Sequence, residues 1–443
     1  LQSSDKELII DPARCRRWCT CRSQHPVVDV RHFCRRDAYE RLASDCRQLY
    51  PQGNVLLVDD ENTHAVAGNR VADLLDERRI RRDVVTLPGN TIATGEVAEK
   101  IVGLAARRAL VVAVGAGTIN DLVKYAAGRQ NIPYWSVPTA PSMNGFTSAI
   151  AALKIAGVKR TLPSPAPQFV YIHPEVVRSA PLPMRQAGLC DLMAKSVSDI
   201  DWQIESMLFS GTYCRLPSAM VTEIEEACLK NPAKIKSADR GAVLVLMKGL
   251  LTSGVAMSLA GSSAPASGGE HLFSHFLDMR ADLTGRPPEL HGLQVAAGIV
   301  LSASCYRRLA ALDPPDAGGR ADSSLKSASE QAAAIWGPVA SEVEKRRHVK
   351  LDLLKQLAEK LPQHWEQIRA LCRLVRTPRD YASTIRRSGY PLTLDALNLS
   401  QSEFLLAASA AGSIRERLTV LDIAAHCGVL EAAADEALVV MEV

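Results

Sequence analysis

Between residues 40 and 180, runs of four or five contiguous apolar residues alternate with stretches of helical periodicity. Val55-Leu56-Leu57-Val58 precedes a helical pattern over 66–79, Val84-Val85-Thr86-Leu87 one over 95–107, and Leu110-Val111-Val112-Ala113-Val114 one over 119–127. Tyr134-Trp135-Ser136-Val137-Pro138 and Phe169-Val170-Tyr171-Ile172 follow. A strand that is apolar at successive positions has no solvated face, so it needs a sheet covered on both sides, and the amphipathic segments supply the covers. The pattern predicts a Rossmann-like parallel α/β domain over 1–180, of which 1–45 is a Cys- and Arg-rich segment of unassigned role. Beyond 180 the strand signal ends, and apolar residues recur three and four apart through 191–208, 217–229, 241–259, 294–312, 351–361, 365–375 and 401–411. This predicts an all-α domain over 181–443, with loops at 260–269 and 313–329 and a packed C-terminal helix pair over 418–430.

Charge excludes some partners. Lysine and arginine number 52 against 48 acids, a net charge of +4, which is too balanced for a field that would attract nucleic acid or an anionic membrane. The local excess at Arg14, Arg16, Arg17, Arg22, Arg31, Arg35 and Arg36 is interleaved with acids and reads as a solvated face. The most apolar stretch, 242–260, is interrupted by Lys248, and the opening residues lack a basic and then apolar profile, so neither a membrane span nor a secretory signal is expected. A cytoplasmic protein is. Five of the eleven cysteines, Cys15, Cys19, Cys21, Cys34 and Cys46, fall in the first 50 residues. An odd count cannot pair completely, and a chain of this length buries a core without covalent staples, so reduced thiols are the expectation. A zinc site of Cys15, Cys19 and Cys21 with Cys34 or His25 is the alternative, but the Cys-x3-Cys-x-Cys spacing departs from the usual metal knuckles.

Two stretches carry chemistry. In Val114-Gly115-Ala116-Gly117-Thr118-Ile119-Asn120-Asp121 a strand runs through two glycines directly into a helix, a geometry that offers backbone N–H groups and a positive helix end to a pyrophosphate. Upstream, Val58-Asp59-Asp60 ends a strand in acids able to accept from ribose hydroxyls. Glycine turns of this kind also occur where nothing binds. In the helical half, His271 and His275 stand four apart on one helix face, and His291 follows, while the other seven of ten histidines are scattered. A lone histidine is usually a core residue; this grouping points to a metal. Asp191, in otherwise apolar helix, needs either a metal or Lys195 one turn on to offset its burial.

These residues lie in ordered motifs: Gly-x-Gly-Thr-Ile-Asn-Asp-Leu-x-Lys-Tyr (115–125), Val-Pro-Thr-Ala-Pro-Ser-Met-Asn-Gly-Phe-Thr-Ser (137–148), Gly-Val-Lys-Arg-Thr (157–161), Ala-Gly-Leu-Cys-Asp-Leu-Met-Ala-Lys (187–195), Asp-Trp (201–202), Ser-Gly-Gly-Glu-His-Leu-Phe-Ser-His (267–275) and Leu-His-Gly (290–292). Together they closely resemble the sn-glycerol-1-phosphate dehydrogenase family of the iron-containing alcohol dehydrogenase and dehydroquinate synthase-like superfamily, with a weaker match over 415–428. The resemblance implies a dehydroquinate synthase-like fold, NAD or NADP, one divalent metal (zinc, nickel or iron), and dihydroxyacetone phosphate or glycerol phosphate as substrate. A homo-oligomer, most plausibly a dimer, is also implied. By the same resemblance Asp191, His271 and His291 are metal ligands, with Asp191, Asn144 and His275 at the substrate. Gly115, Gly117, Thr118, Ile119, Asn120, Asp121, Thr139, Ala140, Pro141, Ser142 and Ser148 contact the cofactor, and Asp59 lies near the adenosine ribose. Three positions depart from the family pattern: Ala116 for a usual Gly or Ser, Asn144 for a usual Asp, and His173 where an acid is common. Lys159, Arg160 and Lys195 are cations available to a substrate phosphate, and Arg70 or Arg79 to a 2′-phosphate. The competing readings are a glycerol or simple alcohol dehydrogenase of the same superfamily, a dehydroquinate synthase-like lyase, and a non-catalytic NAD-binding protein.

Overall fold

The computed structural model describes Cys19, Cys21 and residues 25–26, 28–285, 289–314 and 332–442. Cys15, Arg14, Arg16, Arg17, Arg22 and nearly all of the expected loop at 313–329 lie outside the described residues. The chain forms two compact units, the first built from the described residues of 24–192 and 219–262 with Cys19, the second from those of 193–218 and 263–442 with Cys21.

The first unit holds a six-stranded sheet of β1 (Arg31–Cys34), β2 (Asn54–Asp60), β3 (Arg81–Leu87), β4 (Leu110–Gly115), β5 (Tyr134–Pro138) and β8 (Phe169–Ile172) in the order β1-β8-β5-β4-β2-β3. Every pairing is parallel. Alternation of side chains divides the apolar runs between two cores. Val55, Leu57, Leu110, Val112 and Val114 pack on one face, Leu56, Val58, Val111 and Ala113 on the other. From β2 the chain steps outward to β3 and then crosses back to β4, so the winding direction reverses between β2 and β4. Ligands of such sheets bind beyond the carboxyl ends of the strands at that reversal. Asp59, Asp60 and Gly115 stand there.

Two features were not foreseen. β1 adds an edge strand before the first expected one. β6 (Ile150–Ile155) and β7 (Val158–Pro163) form an antiparallel hairpin turned by Ala156 (φ 49°) and Gly157 (φ 78°), the pair of positive φ values that lets a two-residue turn match strand twist. The helix Arg240–Ala260, capped by Asp239 and by left-handed Gly261, is long and apolar enough to cross a bilayer by length and composition. Here it is a core helix: Val243, Met247 and Leu251 pack with Phe146, Val170 and Ile172. The first unit therefore reaches past residue 180 and takes in a helix that periodicity assigns to the second half.

The second unit has no strand among its described residues. The helix His291–Ala311 is its axis, buried along most of its length. At Gly298 a side-chain carbon would stand 2.3 Å from the Glu270 carbonyl oxygen, so glycine lets the helix Gly269–Thr284 lie directly on it. The two helices expected at 351–361 and 365–375 are one, Ala340–Cys372, running through Pro362. Leu354, Leu357, Leu361, Trp365, Ile368 and Cys372 form a continuous buried stripe through the proline, and burying it offsets the lost backbone bond.

Candidate active site

β4 ends at Gly115, and the helix Gly117–Gln130 starts after Ala116, whose extended backbone makes the entry without a side-chain cap. The first N–H groups of that helix thus keep their donor capacity for a ligand. A side chain at Gly115 would meet Ile119 Cβ at 2.7 Å, so the glycine sets how tightly the strand passes into the helix. The later residues of the motif face inward. Asn120 Oδ1 accepts from Ser136 Oγ at 2.9 Å, and Asp121 accepts from Ala152 N at 3.3 Å. Asp121 also pairs with Lys124 Nζ at 3.6 Å.

Lys124 is the residue that sequence reasoning passed over in this motif. Fully buried, it donates to the carbonyls of Gly145 and Ile150 at 2.5 and 2.9 Å and to Ser148 Oγ at 3.1 Å. Burial pushes the Asp121 carboxyl up, against the pull of Lys124, and pushes the Lys124 ammonium down, against that of Asp121. The pair and its hydrogen bonds staple the loop 139–150 to the helix. Ser148 is enclosed in this network, and Thr139 N donates to Gly115 O at 3.3 Å. Pro141 O is so close to the helix Leu182–Met193 that a side chain at Gly188 would stand 1.8 Å from it.

The stapled loop presents Asn144 to Asp191. Asn144 N donates to Asp191 Oδ2 and Nδ2 to Oδ1, both at 2.7 Å, and both residues are buried. Asn144 therefore acts as a donor that orients the carboxylate. At the β2 end, Asp59 is fully buried, and its Oδ2 lies 2.7 Å from His64 Nδ1. Burial raises the Asp59 carboxyl, with the His64 bond opposing. The side chain of His64 is about a third exposed, so it is the surface member of the pair.

In the second unit, His271 and His275 share one face of the helix Gly269–Thr284, and His291 begins the next helix. The rings of His271 and His291 are 5.1 Å apart, those of His275 and His291 5.7 Å, and those of His271 and His275 6.3 Å. His271 Nδ1 lies 2.7 Å from Glu270 Oε1, which also accepts from Gly268 N at 2.7 Å. A carboxylate at Nδ1 puts the ring proton there and leaves Nε2 with its lone pair, the arrangement that prepares an imidazole to bind a metal. His291 Nδ1 lies 2.9 Å from Ser274 Oγ. Glu270 and Ser274 lie in the quoted histidine motif, which was the only signal for them. Beneath them Asp201 accepts from Gly269 N, Val420 N and Tyr306 Oη at 2.7, 2.7 and 2.5 Å. Burial, and then the charge of Glu270, push its carboxyl up to about 7.

The candidate phosphate cations divide. Lys159 and Arg160 are successive residues of β7 and so point to opposite faces of the hairpin. Lys159 is on the side that lowers the Asp121 carboxyl electrostatically. Lys195 Nζ donates to Ala266 O at 3.0 Å.

A family model described as iron-containing alcohol dehydrogenase matches residues 34–181. The glycerol-1-phosphate dehydrogenase [NAD(P)+] of Bacillus subtilis is 34% identical over 262 residues, which is 58% of this chain and 66% of that protein, just under two thirds. Proteins of the same name from Halalkalibacterium halodurans (32% over 300 residues, 65% of this chain and 74% of the relative) and Methanosarcina barkeri (34% over 267 residues, 59% and 72%) also match. Among solved structures, a probable glycerol dehydrogenase from Sinorhizobium meliloti superposes with a TM-score of 0.59 at 18% identity over 93% of this chain and 99% of that one. The NADH-dependent butanol dehydrogenase A of Thermotoga maritima gives 0.60 at 13% over 95% and 99%. At such identities the structural likeness is one of fold.

Proposed function

Because the chain belongs to the glycerol-1-phosphate dehydrogenase family of the iron-containing alcohol dehydrogenases, we propose that it is a metal-dependent NAD(P)-linked oxidoreductase interconverting dihydroxyacetone phosphate and sn-glycerol 1-phosphate. The observation that carries this reading is the pair of imidazoles, buried His271 and half-buried His291, each held through Nδ1 beside a third histidine.

Asp191, His271 and His291 are the proposed ligands of one divalent ion. The donor chemistry fits: Asn144 donates to both oxygens of Asp191 and so orients the carboxylate, and Glu270 leaves His271 Nε2 with its lone pair. The family motifs that hold them, at 187–195, 267–275 and 290–292, support grouping them. One carboxylate and two imidazoles suit zinc, nickel or iron, and when bound such an ion supplies Lewis-acid polarisation of a substrate carbonyl.

The chain's own groups supply the rest. The uncapped N–H groups that follow Gly115-Ala116-Gly117 bind the cofactor pyrophosphate, and Thr118, Ile119 and the segment Thr139, Ala140, Pro141 and Ser142 line the nicotinamide side. Asn120, Asp121 and Ser148 serve the same site by bracing the loop. Asp59 acts at the ribose through His64. Arg70 is already engaged by Glu40 at 2.9 Å and Glu77 at 3.4 Å, which favours a ribose without a 2′-phosphate. His275 exchanges the proton of the substrate oxygen as hydride is transferred. Lys159, on the Asp121 side of its hairpin, is the first cation offered to a phosphate.

The test is oxidation of NADH and NADPH by dihydroxyacetone phosphate, by dihydroxyacetone and with no ketone, after loading with zinc, nickel or iron. Turnover of dihydroxyacetone but not of its phosphate would replace this reading with a simple glycerol dehydrogenase. Absence of turnover with every metal would leave a binding protein.

A further inference from the structure

We propose that Arg185, together with Arg178 and Arg240, forms a phosphate-binding site in the first unit, separate from the glycine turn at Gly115. Arg185 lies in the helix Leu182–Met193, is 7% exposed, and its Nε and Nη1 are enclosed without a hydrogen-bond partner. An enclosed lysine or histidine can shed its proton, but a guanidinium keeps its charge at any ordinary pH. A buried charge without an anion is costly, so the site calls for one. The chain supplies the opposite: burial first, and then the charge of Arg178, hold the Arg185 guanidinium below its ordinary value.

The surrounding charges form one cluster. Arg178 stands in the helix Pro174–Ser179, which only Ala180 and Pro181 separate from the helix of Arg185. Val177 of that short helix packs with Val243 and Met247, and so brings up Arg240 at the start of their helix. Both arginines share Glu175: Arg178 Nε donates to Oε2 at 2.7 Å, while Arg240 Nε stands 3.3 Å from Oε1 without the alignment of a hydrogen bond. The Arg178 bond, and the charges of Arg178, Arg240 and Arg36, hold the Glu175 carboxyl below its usual range. The acids adjacent to Arg36 and Arg240 in sequence are engaged elsewhere: Asp37 pairs with Arg35 at 2.9 Å, and Asp239 caps its own helix at Ala242 N. The cluster therefore carries four arginines and one acid. Arg178 and Arg240 are partly exposed, so solvent anions reach it. Arg36, part of the arginine excess that reads in sequence as a solvated face, belongs to this cluster.

The fit is to a phosphate group. Guanidinium forks bind phosphate oxygens in pairs, and a dianion offsets the surplus that Glu175 leaves. The site lies beyond the carboxyl ends of β1 and β8, where Arg36 and Glu175 follow Cys34 and Ile172. In the sheet β8 stands two strands from β4, roughly 10 Å away, so a phosphate here does not occupy the turn at Gly115.

The test is calorimetric titration and melting of the full chain with inorganic phosphate and with glycerol 2-phosphate, against sodium chloride at equal ionic strength. At about ten times its Kd, phosphate should raise the melting temperature by roughly 3–6 °C. A larger shift with inorganic phosphate identifies the free ion as the ligand, and a larger one with the ester identifies a phosphorylated metabolite. Arg185→Met should abolish the response yet melt no lower than the wild type in chloride, because it removes an unpaired buried charge and keeps an apolar stem. Arg240→Gln, at the exposed rim, should fold and weaken binding by roughly tenfold. Lys159→Met should bind normally, which separates this site from the phosphate cation of the proposed reaction. A phosphate effect no larger than that of chloride overturns the proposal, as does full binding in Arg185→Met or Arg240→Gln, or its loss in Lys159→Met. So does a marked fall in the melting temperature of Arg185→Met in chloride, which would mean that the protein itself already pairs this guanidinium.

Discussion

Gly298→Ala should push apart the two helices that carry His271 and His291. The new methyl carbon would stand 2.3 Å from the Glu270 carbonyl oxygen, 2.8 Å from its Cα and 2.9 Å from its carbonyl carbon. Ordinary contact begins near 3.5 Å, so the helices must separate by roughly 1 Å, and the obstacle is backbone that cannot rotate away. Overpacking of this kind costs about 1–3 kcal/mol, and with a melting-temperature change of about 2–4 °C per kcal/mol the expected fall is roughly 2–12 °C. Metal ligands tolerate displacements of only about 0.2 Å, so affinity for the ion assigned to the two histidines should fall more steeply than stability. Gly103→Ala is the control, since nothing beyond its chain neighbours and its own helix backbone lies within 4 Å of the added carbon in the helix Gly95–Ala105. It should be neutral or stabilising by up to about 1 kcal/mol. Calorimetric melting with competitive zinc titration reads both quantities. A Gly298→Ala chain that melts and binds zinc like the wild type refutes the close-contact argument.

Three further outcomes are expected. His271→Ala should lose both activity and the ion assigned to Asp191, His271 and His291, as read by metal content alongside NADH oxidation; retention of that ion with the imidazole gone contradicts the ligand assignment. Lys124→Met leaves Asp121 and the carbonyls of Gly145 and Ile150 without their buried cation and should cost about 3–5 kcal/mol in urea unfolding. A loss below about 1 kcal/mol would mean that the staple is not energetically significant. Asp201 titrates near 7 when folded against about 3.9 when unfolded, so the native chain holds an extra proton between these values. Stability should therefore fall as pH rises from about 4 to about 7, by at most on the order of 4 kcal/mol. Asp201→Asn should flatten that limb, and an unchanged slope in the variant would assign the fall to another group.

Contiguous apolar runs determined the parallel sheet, because a strand buried on both faces leaves no other use for four successive apolar residues. Helical spacing likewise determined the all-α half, and the motifs single out Gly115, Asp191, His271 and His291. Local patterns could not reveal partners brought together by folding. The helix Arg240–Ala260 has the same apolar composition whether it enters a membrane, a helical domain or the sheet's own core; its contacts with Phe146 and Val170 settle which. Asn144 reads in sequence as a lost charge, and only the 2.7 Å bonds to Asp191 make it an orienting donor. Nothing in the local sequence sets Lys124 apart, yet it is fully enclosed by a loop that begins some 15 residues later. In each case burial and hydrogen-bond direction decide the role, and these depend on residues far away along the chain.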